Sequence, residues 1–391
     1  MNVNGINMSD VKNKNIAGIL RLLSREGSLS RKDIADTLGL TPAAVTIICA
    51  QLLERGIIKE SGHGEGTTGR AGRHKIMLST CFDKYYAISV NVETDVTYIS
   101  LVRLDGTLVC ADKLRTLPDA ETALRQIARK INELKQTGSP ADPLLGVGVG
   151  IVGAYNAETG KTDGAFGLWQ RGLPIEQFLR EETGLPVCCE NNAKCFAAAE
   201  LLYGSHPENA FLIKWGSGIG SALISDGHVS RAAQEIGHYI VDPDAALCRC
   251  GRRGCLETYA SSYALKSGIG RIFSPETTPL LHGALKGDLT ELMNVMRRRG
   301  IEILDPPVRD IFRRCINQLA IAAVNTATVL DPEKIIVFGN LWNDGFIARF
   351  KADCEKISAS FAGDFIQLSP LQDKRDYIGP AALVTDRILI G

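Results

Sequence analysis

Three things are missing from this 391-residue chain: a long apolar run, a leader-like start and a net charge. No uninterrupted apolar stretch approaches the ~20 residues of a membrane helix, so no membrane partner is expected. The opening Met1-Asn-Val-Asn-Gly-Ile-Asn7 has no charged stretch followed by an apolar one, so no signal peptide is expected. Eleven cysteines without a secretion signal point to a reducing cytoplasm. What remains is ordinary globular composition, 45% hydrophobic and 23% charged, with length for two or three domains. The charge balance of zero is only global. Residues 1–80 carry 11 Lys+Arg against 7 Asp+Glu, and the remainder carries 33 against 37. A mildly basic head on an acidic body is compatible with nucleic-acid contact through the head.

The head has the pattern of a winged helix-turn-helix. Residues 11–28 place Ile16, Ile19, Leu20 and Leu23 on one helical face. Ser30 is a natural N-cap for a second helix to Leu38, with Asp33 completing a near capping box. Gly39-Leu40 makes the turn, and Thr41-Pro42 opens a third helix through Val45, Ile48, Leu52 and Leu53. Ile57-Ile58, a Gly-rich basic loop over 61–75 and Ile76-Met-Leu78 then read as strand, loop and strand, which is a wing. The third helix is the expected reader of the major groove. Its exposed start, Thr41, Ala43, Ala44 and Thr46, is small, allowing close approach and methyl contacts but no bidentate Arg–guanine pair. Arg31, Lys32 and Lys75 are placed as phosphate contacts. Arg70 and Arg73, on a Gly-flanked loop, suit a narrow A·T-rich minor groove. A winged helix used only for protein contacts is the competing reading.

The densest chemical signal lies in the body: His238, then Cys248-Arg-Cys250-Gly251-Arg-Arg-Gly254-Cys255-Leu-Glu257. Three thiols and an imidazole at this spacing suit a closed tetrahedral zinc site rather than Mg²⁺ or Ca²⁺. Four protein ligands leave no open position for water, so the zinc is read as structural. The competing reading is a chance cluster of buried cysteines.

The run Glu235-Ile-Gly-His238 through Cys248, Cys250, Gly251, Gly254, Cys255 and Glu257 resembles the signature of the ROK family, which holds bacterial sugar kinases and sugar-responsive repressors. The winged helix resembles the head of the family's repressors. An internal echo fits the same family. Tyr86 to Val109 and Ala210 to Val229 each read as strand, turn, strand, Asp-Gly turn and strand, with the turns at Asp105-Gly106 and Asp226-Gly227. Helical segments follow each copy. The resemblance implies an α/β, actin-like, hexokinase-type two-lobed body. The divisions expected are a head over 1–80 and a body over 81–391. Within the body, a small lobe takes about 81–190 plus 377–391, and a large lobe takes about 191–376 with the zinc loop.

Two departures from the family's kinases argue against an enzyme. The kinase Asp-x-Gly-Gly-Thr turn that cradles phosphate is here Asn91-Val92-Glu93-Thr94-Asp95, with carboxylates where phosphates would sit. Asn192 replaces the Asp that takes the sugar proton, and losing such a base costs ~10²–10⁴-fold in rate. By resemblance, the sugar contacts fall on Gly153, Asn191, Asn192, Glu235, His238 and Glu257. His238 would serve both zinc and sugar. Trp169, in Phe166-Gly-Leu-Trp169, is either core or a stacking platform. The reading is a cytoplasmic repressor of a carbohydrate-utilisation operon. It would bind operator DNA as a homodimer or homotetramer and a sugar or sugar derivative in the interlobe cleft. The alternatives are an ATP-dependent sugar kinase with a regulatory head and a repressor controlled by a protein partner.

Overall fold

A computed structural model describes residues 8–63, 75–137, 143–163, 168–232 and 234–390. The head opens with helix α1 (Met8–Glu26), which begins and ends slightly earlier than the apolar spacing suggests. The two-residue strand β1 (Leu29–Ser30) precedes α2 (Arg31–Leu38) and α3 (Pro42–Glu54). Ser30 and Asp33 form a complete capping box on α2, and Gly39 closes that helix in the left-handed conformation. Thr41 caps α3 with Pro42 at its first position. The wing strands β2 (Ile58–His63) and β3 (Ile76–Thr80) pair antiparallel, and β1 pairs with β3 on the other side. Arg70 and Arg73 lie outside the described residues.

The body holds two five-stranded sheets built to one plan. The first comprises β4 (Tyr86–Val92), β5 (Val96–Arg103), β6 (Leu108–Arg115), β7 (Leu144–Ile151) and β10 (Val187–Asn191). A small hairpin of β8 (Tyr155–Asn156) and β9 (Lys161–Thr162) stands apart. The second sheet comprises β11 (Ala210–Trp215), β12 (Ile219–Ser225), β13 (His228–Val229), β14 (Lys334–Phe338) and β15 (Ile366–Leu368). Read from one edge, the orders are β6-β5-β4-β7-β10 and β13-β12-β11-β14-β15. In each, an antiparallel meander is followed by two parallel strands. This is the duplicated two-lobed α/β architecture that the sequence echo implies. The second Asp-Gly turn needs left-handed backbone at both positions, with φ of +52° at Asp226 and +67° at Gly227.

Helices pack on both sheets. On the first lie α4 (Ala120–Leu134) and α5 (Ile175–Thr183). On the second lie α7 (Glu257–Ala260), α8 (Ser262–Ile272), α9 (Pro279–Gly283), α10 (Leu289–Arg299), the long α11 (Pro306–Leu330) and α12 (Asp344–Ile357). Between the sheets lie α6 (Asn192–Tyr203) and α13 (Ile378–Val384), packed on each other. No helix among the described residues is long and apolar enough to cross a membrane.

One apolar cluster joins the head to the body. Ile19, Leu20, Leu23 and Leu52 pack in the same core as Phe196, Leu201 and Leu202 of α6. Polar contacts pin the junction: Arg21 donates to the Gly227 carbonyl (2.7 Å), Ser24 to Leu202 (2.8 Å) and Arg55 to Leu389 (3.0 Å). The head therefore rides on α6 and the Asp226-Gly227 turn.

Close packing at the lobe boundary makes a stability prediction. A Cβ on Gly148 of β7 would overlap the Pro380 carbonyl oxygen of α13. Gly148→Ala should lower stability by about 1–3 kcal/mol or more in denaturant titration, because backbone cannot yield as a side-chain tip does. Gly270→Ala on α8 meets nothing within 4 Å and should be neutral or stabilising by up to ~1 kcal/mol.

Candidate functional site

The cysteine loop is shaped by its glycines. Gly254 has φ +67°, and a Cβ there would overlap the Asp242 carbonyl oxygen. Gly251 has φ +88° and ends a tight turn, its N–H donating to Cys248 O at 2.9 Å while Cys248 N donates to Arg252 O at 2.7 Å. His238 comes from a short 3-10 turn, Ile236–His238, beside this loop. The ligand atoms of His238, Cys248, Cys250 and Cys255 all lie within 4.8 Å of one another. His238 Nδ1 is 3.6 Å from Cys248 Sγ, and Cys250 Sγ is 3.6 Å from Cys255 Sγ. Two thiolates bound tetrahedrally to one zinc ion would sit about 3.8 Å apart, given a bond near 2.3 Å. The donor set and spacing fit a metal ion. Burial, then the charge of Arg252, moves the His238 imidazole down to about 4, so the ring is neutral at pH 7, the form that ligates. Burial, then the neighbouring thiols, pushes Cys255 up to about 12. A cation at the centre reverses that preference by favouring thiolate.

Against the cluster lies a cavity of about 320 Å³, within the usual size for small-molecule sites. Gly153, Asn191, Asn192, Glu235, His238 and Glu257 all line it. Glu257 Oε2 accepts the Ile219 N–H at 3.2 Å, which aims its carboxylate at the Gly218 turn. Burial, then the Glu257 charge, pushes Glu235 up to about 7. Glu257 is raised as well, by burial. Asn191 is heavily engaged. Its Oδ1 caps α6 by accepting from Ala193 N (2.9 Å) and Lys194 N (3.2 Å), and its Nδ2 donates to Gly153 O (2.9 Å). It leaves one amide hydrogen for a ligand. Trp169 is core: it is 6% exposed, and its indole N–H donates to Leu117 O at 3.0 Å. Phe166 lies outside the described residues.

The two hairpin turns meet at one end of this cavity, which Thr94, Asp95, Ser217 and Gly218 line. Glu93, in the first turn, faces Lys214 of β11 and Ser217 of the second turn. Sequence reasoning missed Lys214. The available signal was a lone cation inside the apolar strand Ala210–Trp215.

On the head, Thr41, Ala43 and Thr46 are exposed on one face of α3 and Ala44 is half-buried. The Thr46 hydroxyl is turned back onto Pro42 O (2.7 Å), so that residue presents its methyl. Ile47, 59% exposed on the same helix, was also missed. Its signal was position alone, one residue past Thr46. Arg31 faces Glu60 (3.9 Å) and Lys75 faces Asp33 (2.9 Å), so both are engaged within the head, whereas Lys32 is exposed.

Comparison with known proteins adds to this geometry. A model described as ROK family matches residues 87–387, and one described as winged helix-turn-helix DNA-binding matches residues 12–59. The chain is 24% identical to the xylose repressor of Caldicellulosiruptor bescii, covering 95% of each chain. It is 28% identical to a glucokinase of Thermotoga maritima, covering 78% of this chain and 99% of that one. A crystal structure described as a ROK family transcriptional regulator, homolog of E. coli MLC protein, superposes with a TM-score of 0.77, covering 97% of both chains at 24% identity. That likeness establishes the shared fold.

Proposed function

From the premise that this chain belongs to the ROK family and carries a winged helix-turn-helix ahead of its ROK body, we propose that it is a sugar-responsive transcriptional repressor. The observation that carries the proposal is one cavity lined by Asn191, Asn192, Glu235, His238 and Glu257, in a body that shares a core with a DNA-binding head. Neutral amides, carboxylates and an imidazole supply the mixed donors and acceptors that vicinal hydroxyls require. Operator DNA and a sugar or sugar derivative are the partners, and the cytoplasm is the compartment. A homodimer or homotetramer would read paired half-sites.

Zinc is the proposed resident of the His238, Cys248, Cys250 and Cys255 cluster, and it would supply rigidity and no open coordination site. It would hold the segment that leads into Glu257, the first residue of α7. His238 would present Nδ1 to the metal and its far ring edge to the cavity. Helix α6 offers a route to the head. Asn191 and Asn192 stand at its cleft end, and Leu202, near its other end, accepts from Ser24 of α1. A ligand that prefers one lobe arrangement shifts the head through that helix, and a coupling of ~1–3 kcal/mol changes operator affinity roughly 5–150-fold.

The body is proposed to be no kinase. Asn192 cannot take a proton, and its Nδ2 is held 3.2 Å from Glu93 Oε1. A repressor controlled by a protein partner is the second reading, favoured by Tyr239, Ile240 and Leu247, which are 41%, 55% and 64% exposed around the zinc loop. The test pairs genomic fragment selection with a thermal-shift panel of neutral sugars, N-acetyl sugars, sugar phosphates and ATP. Sugar-dependent stabilisation together with sugar-dependent loss or gain of DNA binding is expected. Stabilisation by ATP with turnover of a sugar would overturn the reading. On the head, Lys32→Ala should weaken binding evenly across DNA sequences and lower the salt slope by about 1.

A further inference from the structure

Glu93 sits where three structural elements converge. Its backbone N–H donates to Val96 O (2.9 Å), which fixes the turn between β4 and β5. Its Oε1 accepts from Lys214 Nζ at 2.5 Å and from Asn192 Nδ2 at 3.2 Å. Its Oε2 accepts from Ser217 Oγ at 3.2 Å. The donors come from β11, the start of α6 and the Gly216-Ser217-Gly218 turn. The side chains of Lys214 and Glu93 are only 13% and 14% exposed. An ammonium, an amide and a hydroxyl borne on a glycine turn, from Lys214, Asn192 and Ser217 respectively, form the donor set that holds an oxyanion. Here the protein supplies the oxyanion itself.

The same carboxylate lines a second cavity that adjoins the first. This second cavity, on the Glu93 side of the junction and termed inner for that reason alone, has a volume of about 300 Å³ and is lined by Glu93, Asn91, Tyr98, Phe338 and Asp376. Asp95, Asn192, Lys214 and Ser217 line both it and the outer cavity. The acids at this junction, Glu93, Asp95 and Asp376, are matched in number by Lys214, Lys266 and Arg375; Arg375 faces Asp376 at 3.8 Å, and Lys214 is the cation that Glu93 engages directly. Arg249 and Arg271 are exposed at the outer cavity and stand apart from this cluster.

We infer that Glu93 is a built-in anion that sets the ligand's charge class at the inner end of the cleft: a neutral polyol is accepted there and a phosphoryl group is refused. The inference rests on reading the outer cavity as the sugar site. It also makes Glu93 a mask over a latent anion site, because removing its charge leaves Lys214 a half-buried cation without its carboxylate.

The experiment titrates inorganic pyrophosphate by calorimetry into the full metal-loaded chain and into Glu93→Gln. Wild type should show no saturable binding at the cleft. Glu93→Gln should gain about tenfold or more in association constant. The double variant Glu93→Gln/Lys214→Met should lose that gain, which separates the junction from the cations at the mouth. Glu93→Ala repeats the test if the amide variant does not fold. Wild type binding pyrophosphate as tightly as the variant, or a folded variant gaining nothing, overturns the inference. A panel of neutral sugars on wild type reports separately on the sugar reading, since silence there leaves the pyrophosphate result standing.

Discussion

His238→Ala and Cys255→Ser proteins should purify without stoichiometric zinc, melt far below wild type and give no sugar-dependent change in DNA affinity. The cause is local. His238, Cys248 and Cys255 are buried, and a Gly-rich loop that turns on Gly251 and Gly254 has little apolar packing to hold it once its ion is gone. Loss of a structural metal belongs to the rare class of changes that cost more than about 4 kcal/mol. Elemental analysis, melting curves and DNA anisotropy on the same samples check it. The expected order is metal loss, then destabilisation, then loss of sugar response. Normal sugar response in a zinc-free variant would sever the metal from the ligand site. Acid should act in the same direction. Binding needs deprotonated thiols and releases protons, so the metal is held at neutral pH and lost as pH falls.

Sugar affinity should fall by roughly 10–150-fold in Glu257→Ala while zinc content stays at the wild-type level. The Glu257 carboxylate is half-buried, is oriented by the Ile219 N–H, and faces the cavity from the first turn of α7. A hydrogen bond to a charged group contributes about 1.5–3 kcal/mol, which sets the size of the loss. Glu257→Gln, which keeps shape and one acceptor, should lose less. Calorimetry with the sugar identified by the thermal panel measures both. Unchanged affinity in a zinc-loaded Glu257→Ala protein would remove this residue from the ligand site and leave it a capping acid of the loop.

These two expectations differ in how far they could be read before folding. The zinc cluster is legible because its ligands fall within one short loop and one turn, so spacing alone brings them within a few ångströms. The winged helix is legible for the same reason. Ser30 with Asp33, Gly39, and Thr41 with Pro42 are local signals, and the caps form where those residues stand. The duplicated sheets are legible through the repeated Asp-Gly turns. Glu93 is different. Its carboxylates' neighbours are Asn192, Lys214 and Ser217, about a hundred or more positions away, and only the meeting of the two hairpin turns joins them. In sequence it is a replaced glycine, whereas in the fold it is the carboxylate that joins Lys214, Ser217 and Asn192.

Sequence by itself determined the elements whose causes lie within a few residues: helix caps, the wing, the metal loop and the twofold strand plan. Tertiary structure alone decided the contacts that require distant chain to converge. It buried Trp169 with its indole on Leu117, engaged Arg31 and Lys75 inside the head, and exposed Ile47 beside Thr46. It also merged the head with α6 in one core. The physical reason is the range of the forces involved. Caps and turns are settled by hydrogen bonds between near neighbours, whereas burial and ion pairing depend on which surfaces the completed sheets bring together.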